Sequence, residues 1–491
     1  MEYLLIFFGS PYTFFFLITY ILFFTVPFGD YVVDDYPINL VIQKKKKSKF
    51  TYKQWPLIHR IYSYSFSVGL FDTPRKEYSF TLALHALNCC FMYNATNSFM
   101  ATILFLVSPV NNQVAIWLNG RRYALGVLCA LLIWNYNILF IPLYVYITWI
   151  HVYAIMLPIM MLFTPYWWTV PIGLALMFTF GFKRIKKRFL SRKKDYTTDN
   201  ELQKLHIKKI IIYIKSIGYY FFFTIFPDKP RMYHTKFMYM SKYKKDMKEA
   251  YSLNWDFFLS LGALCFMCYE LFYQQNLWAL WWLVFISQYC NIVVVTMMFS
   301  DRYCTLASIG LYTILAKYIN MLPSPLMECT YVGFIVYYII RYSKLFWAYK
   351  GIENFHLYHV AVEPDCVEPR VLMAENYLNV RDPFRSFAIL KGGLKYRPKD
   401  FKLLITMAKT LFAMQNWKAG LQTAQLAKEC APLGEEELTH QMINQLEHDY
   451  EKGTLQKKLV MPGVRTPKPE SEMSRAERRR SKKSVSKGRK K

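Results

Sequence analysis

Three carboxylates stand close together in the stretch Gly29-Asp30-Tyr31-Val32-Val33-Asp34-Asp35-Tyr36, just beyond a long apolar run. Adjacent acids suit general-base work, because a neighbouring negative charge raises a carboxylate's pKa toward a useful range. The bland reading is a polar loop start, since carboxylates at a membrane surface stay hydrated. Two arginine motifs come later, Gly120-Arg121-Arg122-Tyr123 and Ser300-Asp301-Arg302-Tyr303. Guanidinium forks hold phosphate through two parallel hydrogen bonds. At a helix end they also simply extend toward lipid headgroups. His85 and Asn88 lie one helical turn apart and share a face. An interhelical hydrogen bond is their commoner use inside an apolar bundle. Glu270 and Glu328 also fall within apolar runs, where a carboxylate needs a partner or water. The ten cysteines form no CxxC pair with a partner at zinc spacing, so the pattern proposes no metal site.

The elements that must position these residues are read from composition. Of 491 residues, 54% are hydrophobic and only 19% charged, yet the net charge is +28. Soluble domains carry more charge than this. Tyr3 to Gly29 and Tyr123 to Phe182 contain no Asp, Glu, Lys or Arg. Crossing a bilayer takes about 20 apolar residues, so the first run predicts one span and the second about three. Further spans are expected near 79–93, 97–110, 209–226, 254–273, 276–299, 304–321 and 327–346, about ten or eleven in all. The expected class is therefore all-α, a polytopic transmembrane bundle. Glu2 and the length of the apolar run read as a retained first helix rather than a cleaved signal.

Four segments break the apolar pattern: 30–77, the basic stretches 183–215 and 227–250, and everything after Trp347. Basic clusters follow the first span, the middle and the end, so positive charge does not fix orientation. Beyond 348 the chain is soluble in character. Met373 and Ala374 recur as Met407 and Ala408, Leu378 as Phe412 and Pro398 as Pro432, each at an offset of 34. That is the tetratricopeptide period, in which small residues let paired helices approach. The competing reading is an ordinary helical hairpin with a chance offset. The expected division is 1–348 as membrane domain with its first loop at 30–77, 349–452 as helical repeats with 433–450 capping them, and 453–491 as a disordered basic tail. Ser474 to Lys491 suits anionic headgroups. Without interleaved aromatics it argues against nucleic acid as a partner.

In order and spacing, these stretches resemble the tetratricopeptide-repeat membrane glycosyltransferases of the GT-C superfamily, which include the eukaryotic transmembrane and tetratricopeptide-repeat O-mannosyltransferases and bacterial relatives. The resemblance rests on Gly29 to Asp35, on Arg60, Gly69, Pro74, His85 and Asn88 in that order, on Ser108 to Arg121, on Asp301 to Gly310, and on the trailing repeats. It covers about residues 1–450. The chain departs from the pattern at Ser108, Asn111 and Gln113, where the family carries two His and a Glu.

The resemblance implies transfer of a sugar, mannose in the namesake enzymes, from a polyprenyl-phosphate donor to a protein or glycan hydroxyl, with inversion. It implies Asp34 or Asp35 as base and Arg121, Arg122 and Arg302 around the donor phosphate. Asp30, His85, Asn88, Gln113, Asp301 and Tyr303 would be supporting residues. It places the acidic loop on the extracytoplasmic side, with the repeats meeting the acceptor or a partner protein. The lipid-linked donor is the one co-substrate it names, and the need for a divalent metal is left open. The alternative is a GT-C-fold scaffold without catalysis, suggested by the losses at 108, 111 and 113. A transporter is disfavoured, because no pair of interrupted helices recurs in two halves. An O-antigen-ligase-like protein would lack the acidic loop.

Overall fold

The computed structural model describes residues 10–26, 73–136, 143, 153–162, 164, 167–176, 207–230, 252–290, 300–430, 444 and 448. Among them every regular element is helical and there is no strand. Asp30, Asp34 and Asp35, most of the first loop, the expected capping helix apart from two residues, and the basic tail lie outside the described residues.

The first half opens with α1 (Pro11–Leu22), α2 (Pro74–Thr96) and α3 (Phe99–Val107). Short side chains start each helix. The hydroxyls of Ser10, Thr73 and Ser98 accept from the amides of Thr13, Lys76 and Ala101, satisfying donors that the first turn leaves orphaned. Asn97 stops α2 in left-handed backbone at φ 48, a conformation asparagine tolerates, and α3 folds straight back. The span expected over 97–110 is corrected here. α3 is only 9 residues long, about 13 Å against a hydrocarbon core of about 30 Å. Ser108 is extended because Pro109 follows, and a residue before proline is pushed out of helical backbone. The chain then makes a 3-10 turn (Pro109–Asn111), α4 (Asn112–Ala115), a second 3-10 turn (Leu118–Gly120) and α5 (Arg121–Asn135).

Next come α6 (Tyr153–Met161), α7 (Val170–Leu176), α8 (Ile207–Ile225), α9 (Trp255–Phe272) and α10 (Leu277–Ser287). A 3-10 turn (Asp301–Tyr303) leads into α11 (Cys304–Ile319), and α12 (Ser324–Ala348) is the longest helix described. One helix among the described residues, α9, is long and apolar enough to cross a membrane; Pro11–Leu22, Ile210–Ile225 and Leu277–Ser287 are apolar but shorter. The main core joins α2, α3, α5, α8, α10 and α11. A second core collects Phe23 after α1, Tyr78 and Leu82 of α2, Trp117, and Tyr342 and Leu345 of α12.

That second core continues into α13 (Ile352–Val362) through Phe355 and Tyr358, and so carries the bundle into the C-terminal helices. Two helical hairpins follow: α14 (Glu368–Asn379) with α15 (Pro383–Tyr396), and α16 (Phe401–Ala413) with α17 (Trp417–Glu429). Their geometry repeats at the sequence offset. Arg381 and Gln415 both take left-handed backbone, at φ 62 and φ 63. The next residues, Asp382 and Asn416, cap the second helices by accepting from the amides of Arg385 and Ala419. Ala374 and Ala408 are fully buried between the helices.

Candidate functional site

The site begins on one face of α2. Glu77, Thr81, His85 and Asn88 follow one another at spacings of four, four and three, which stacks them along a single side of a helix. All four are completely buried. Such a polar stripe inside an apolar bundle needs partners, and α3 and α5 supply them. Asn88 donates through Nδ2 to the Ala124 carbonyl at 3.0 Å, and His85 Nε2 lies 3.3 Å from the Leu106 carbonyl.

The deepest partner is Arg121. Its Nη2 donates to Glu77 Oε2 at 2.6 Å, with both side chains wholly shielded from solvent. The same guanidinium reaches the Glu77 carbonyl at 3.2 Å, reaches the Thr81 hydroxyl and lies 5.1 Å from the centre of the Phe80 ring. Arg121 is thus held on α2 by an acid and a hydroxyl. Sequence reasoning passed over Glu77. Its signal was there to read: a carboxylate four residues before Thr81 and eight before His85, at the start of an apolar helix.

The second arginine motif meets the first. Arg302 donates through Nε to the Tyr123 hydroxyl at 3.1 Å, across 179 residues of sequence. Its guanidinium carbon lies 5.6 Å from the Trp117 ring, 5.7 Å from Tyr123 and 5.3 Å from Tyr303. Tyr303 in turn stacks on Tyr289, with ring centres 4.1 Å apart. Burial disfavours the Arg302 charge, but the Tyr123 and Tyr303 hydroxyls over-compensate and hold the guanidinium firmly protonated. Asp301 beside it is fully buried. Half-buried Arg122 faces the Tyr123 ring as well, at 5.3 Å, and its Nε has no hydrogen-bond partner among the described residues. Two cations therefore share one tyrosine ring at the end of the bundle where the second core sits.

The positions where the chain departs from the family pattern are also placed. Ser108 is buried and hydrogen-bonds with the Tyr312 hydroxyl, which itself donates to the Thr224 carbonyl. Asn111 is buried and donates to the Phe105 carbonyl at 2.7 Å. The backbone of Gln113 belongs to α4, and its side chain lies outside the described residues. The structure thus forms two groups: Arg121 held on Glu77 and Thr81 between α2 and α5, and Arg122, Tyr123, Arg302 and Tyr303 where α5 meets the 301–303 turn, while His85 and Asn88 bond backbone carbonyls further along α2. Glu270 lies apart, near the far end of α11, where it receives hydrogen bonds from Asn276, Lys317 and Tyr318. Glu328 is exposed on α12 and accepts from Ser324.

Compared with protein-family models, with curated proteins and with solved structures, the chain matches none of them. The likeness to GT-C glycosyltransferases therefore rests on the residue pattern alone.

Proposed function

We propose that this chain is a multi-pass membrane glycosyltransferase that moves a sugar from a polyprenyl-phosphate donor to an acceptor hydroxyl. One observation carries the reading: two arginine motifs far apart in sequence meet on Tyr123, at the end of an apolar bundle whose outer faces are themselves apolar. Phe258, Leu259 and Phe272 of α9 and Val332, Val336 and Ile340 of α12 are all exposed. Exposed apolar surface of that extent is the mark of a lipid or partner contact. It supports several membrane-embedded helices beyond α9, including pairs too short to cross alone.

In this reading Arg122 and Arg302 receive the donor phosphate, and Glu77 keeps Arg121 as the post on which their segment is mounted. The acceptor oxygen bonds to the anomeric carbon on the face opposite the phosphate. The carbon–oxygen bond to phosphate breaks, and its electron pair departs with the phosphate. Cationic donors held in place beforehand stabilise that growing charge. The acceptor's proton goes to Asp34 or Asp35. The hairpins at 368–429 serve as tetratricopeptide-type units that select the acceptor or a partner.

The scaffold alternative keeps its own support: Ser108 and Asn111 are spent on packing hydrogen bonds. The separating experiment is turnover in nanodiscs with radiolabelled polyprenyl-phosphate sugars and candidate acceptor proteins. Wild type should transfer sugar, and the Asp34→Asn/Asp35→Asn variant should lose at least a hundredfold. Equal turnover in that variant removes the base assignment. Donor binding without transfer by wild type favours the scaffold.

A further inference from the structure

The turn between α14 and α15 presents two large apolar side chains to the outside. Val380 and Phe384 are each 72% exposed. Arg381 and Arg385 are exposed beside them. The turn is ordered from within: the Asp382 amide donates to the Tyr377 carbonyl at 2.8 Å, and the Asp382 carboxylate accepts from the Arg385 amide at 3.1 Å. The matching turn of the second hairpin, 34 positions on, is different. Met414 is partly buried there, and exposed Lys418 stands where the first hairpin has Phe384. The hairpin geometry itself therefore does not call for the exposed pair. One apolar side chain on a surface needs no explanation, but a rigid pair flanked by arginines does.

The fold also fixes where this turn lies. The Tyr377 hydroxyl donates to Glu353 Oε1 at 2.7 Å, and the Arg385 guanidinium lies 5.8 Å from the centre of the Tyr377 ring. Glu353 is five residues beyond Ala348, where α12 ends, and five residues span at most about 18 Å. The end of α12 exposes Lys344, Trp347 and Lys350. Aromatic and basic side chains of this kind collect where a helix leaves a bilayer. Arg341 pairs at 2.9 Å with Asp228, just past the end of α8, and Tyr358 of α13 donates to the Pro230 carbonyl. Two apolar helices thus end at one level, and α13 packs there with the first hairpin against it.

We infer that the tip of the first hairpin, residues 380–385, dips into the surface of an anionic bilayer beside the point where α12 leaves it. Val380 and Phe384 enter at the boundary of headgroups and acyl chains, and the two arginines meet lipid phosphates. Asp382 lies 3.3 Å from Arg385 Nε and offsets one of the two charges. A protein partner is the competing occupant, and the position of the tip at a helix exit favours lipid. The contact holds the hairpins at the end of the bundle that carries Trp117 and the Arg302 cage. The inference rests on the membrane reading of the bundle and needs no sugar transfer.

The test uses the full chain in nanodiscs, with the photocrosslinker p-benzoylphenylalanine replacing Val336 of α12, Phe384 or Lys418, one at a time. All three positions are exposed, so the fold tolerates the change. Mass spectrometry should find phospholipid adducts at Val336 and Phe384 and none at Lys418. Replacing part of the phosphatidylcholine by phosphatidylserine should raise the yield at Phe384 about fivefold, as one net positive charge near the surface allows. Arg381→Gln combined with Arg385→Gln should abolish that rise. Adducts at Val336 without adducts at Phe384, or a Phe384 yield indifferent to lipid charge, overturn the inference and spare the membrane reading. No lipid adduct at either position overturns both. Adducts from Phe384 to a second copy of the chain in place of lipid make the tip a protein contact and overturn the inference as well.

Discussion

At the residue scale, the Glu77–Arg121 pair decides how the candidate site is read. An arginine at the head of an uncharged run suggests an anion grip or a headgroup contact, and both need the guanidinium to be available. In the fold it is enclosed with a carboxylate at 2.6 Å. A buried pair contributes little against an apolar replacement, but breaking one side strands a charge at a cost of about 3–5 kcal/mol. Glu77→Gln should therefore lower thermal stability sharply. Glu77→Gln combined with Arg121→Gln should recover much of the loss, measured by melting in detergent or nanodiscs. Additive losses in the double variant would show that the two residues act separately. His356 offers a second check. Burial lowers its pKa from 6.5 to about 4, and its Nδ1 has no hydrogen-bond partner among the described residues. Its unfolded form binds a proton first as pH falls, so the folded state loses stability between pH 6.5 and about 4, up to roughly 3 kcal/mol. Unfolding followed across that window should show the slope in wild type and a flatter one in His356→Gln.

At the element scale, close helix crossings depend on residues with no side chain to spare. Gly310 lies where α11 crosses α10. A Cβ built there falls 2.3 Å from the Trp278 carbonyl oxygen and 3.1 Å from the Trp282 nitrogen. Both are backbone atoms and cannot step aside, so the helices themselves must separate. The same crossing is pinned by the Trp281 indole, which donates to the Leu306 carbonyl at 2.8 Å. Gly310→Ala should destabilise the bundle by about 1–3 kcal/mol, as overpacking does. Gly262, with nothing within 4 Å, should accept alanine without such a loss. A comparison of the two melting points checks this directly. Gly310 also closes the Asp301-to-Gly310 stretch of the sequence motif, and in the fold it acts as a packing residue 8 positions beyond Arg302.

At the scale of the whole molecule, the pattern of apolar exposure is the testable feature. α9 has only 22% of its span buried, and Cys265 lies exposed within it. If lipid covers that face, a lipid-soluble maleimide should modify Cys265, and a charged, impermeant one should not. Cys430, partly exposed after the second hairpin, should react with both. Mapping the modified cysteines by mass spectrometry reads the result. Prompt labelling of Cys265 by the charged reagent would place water, not lipid, on α9. Between these regions α13 acts as the joint. Tyr358 donates to the Pro230 carbonyl on one side, and Tyr377 of the first hairpin donates to Glu353 on the other.

The residue pattern by itself determined the helical class, the location of most apolar helices and the 34-residue offset. Each of these is local: periodicity, uncharged length and turn residues act within a few positions of one another. The left-handed Arg381 and Gln415 with their capping neighbours repeat at that same offset, because identical hairpins need identical turns. Tertiary structure alone decided which polar residues meet. Glu77 and Arg121 are 44 positions apart, and Tyr123 and Arg302 are 179 apart. No spacing rule links such positions. A buried charge takes whichever partner packing brings within reach, and only the folded bundle specifies that neighbour.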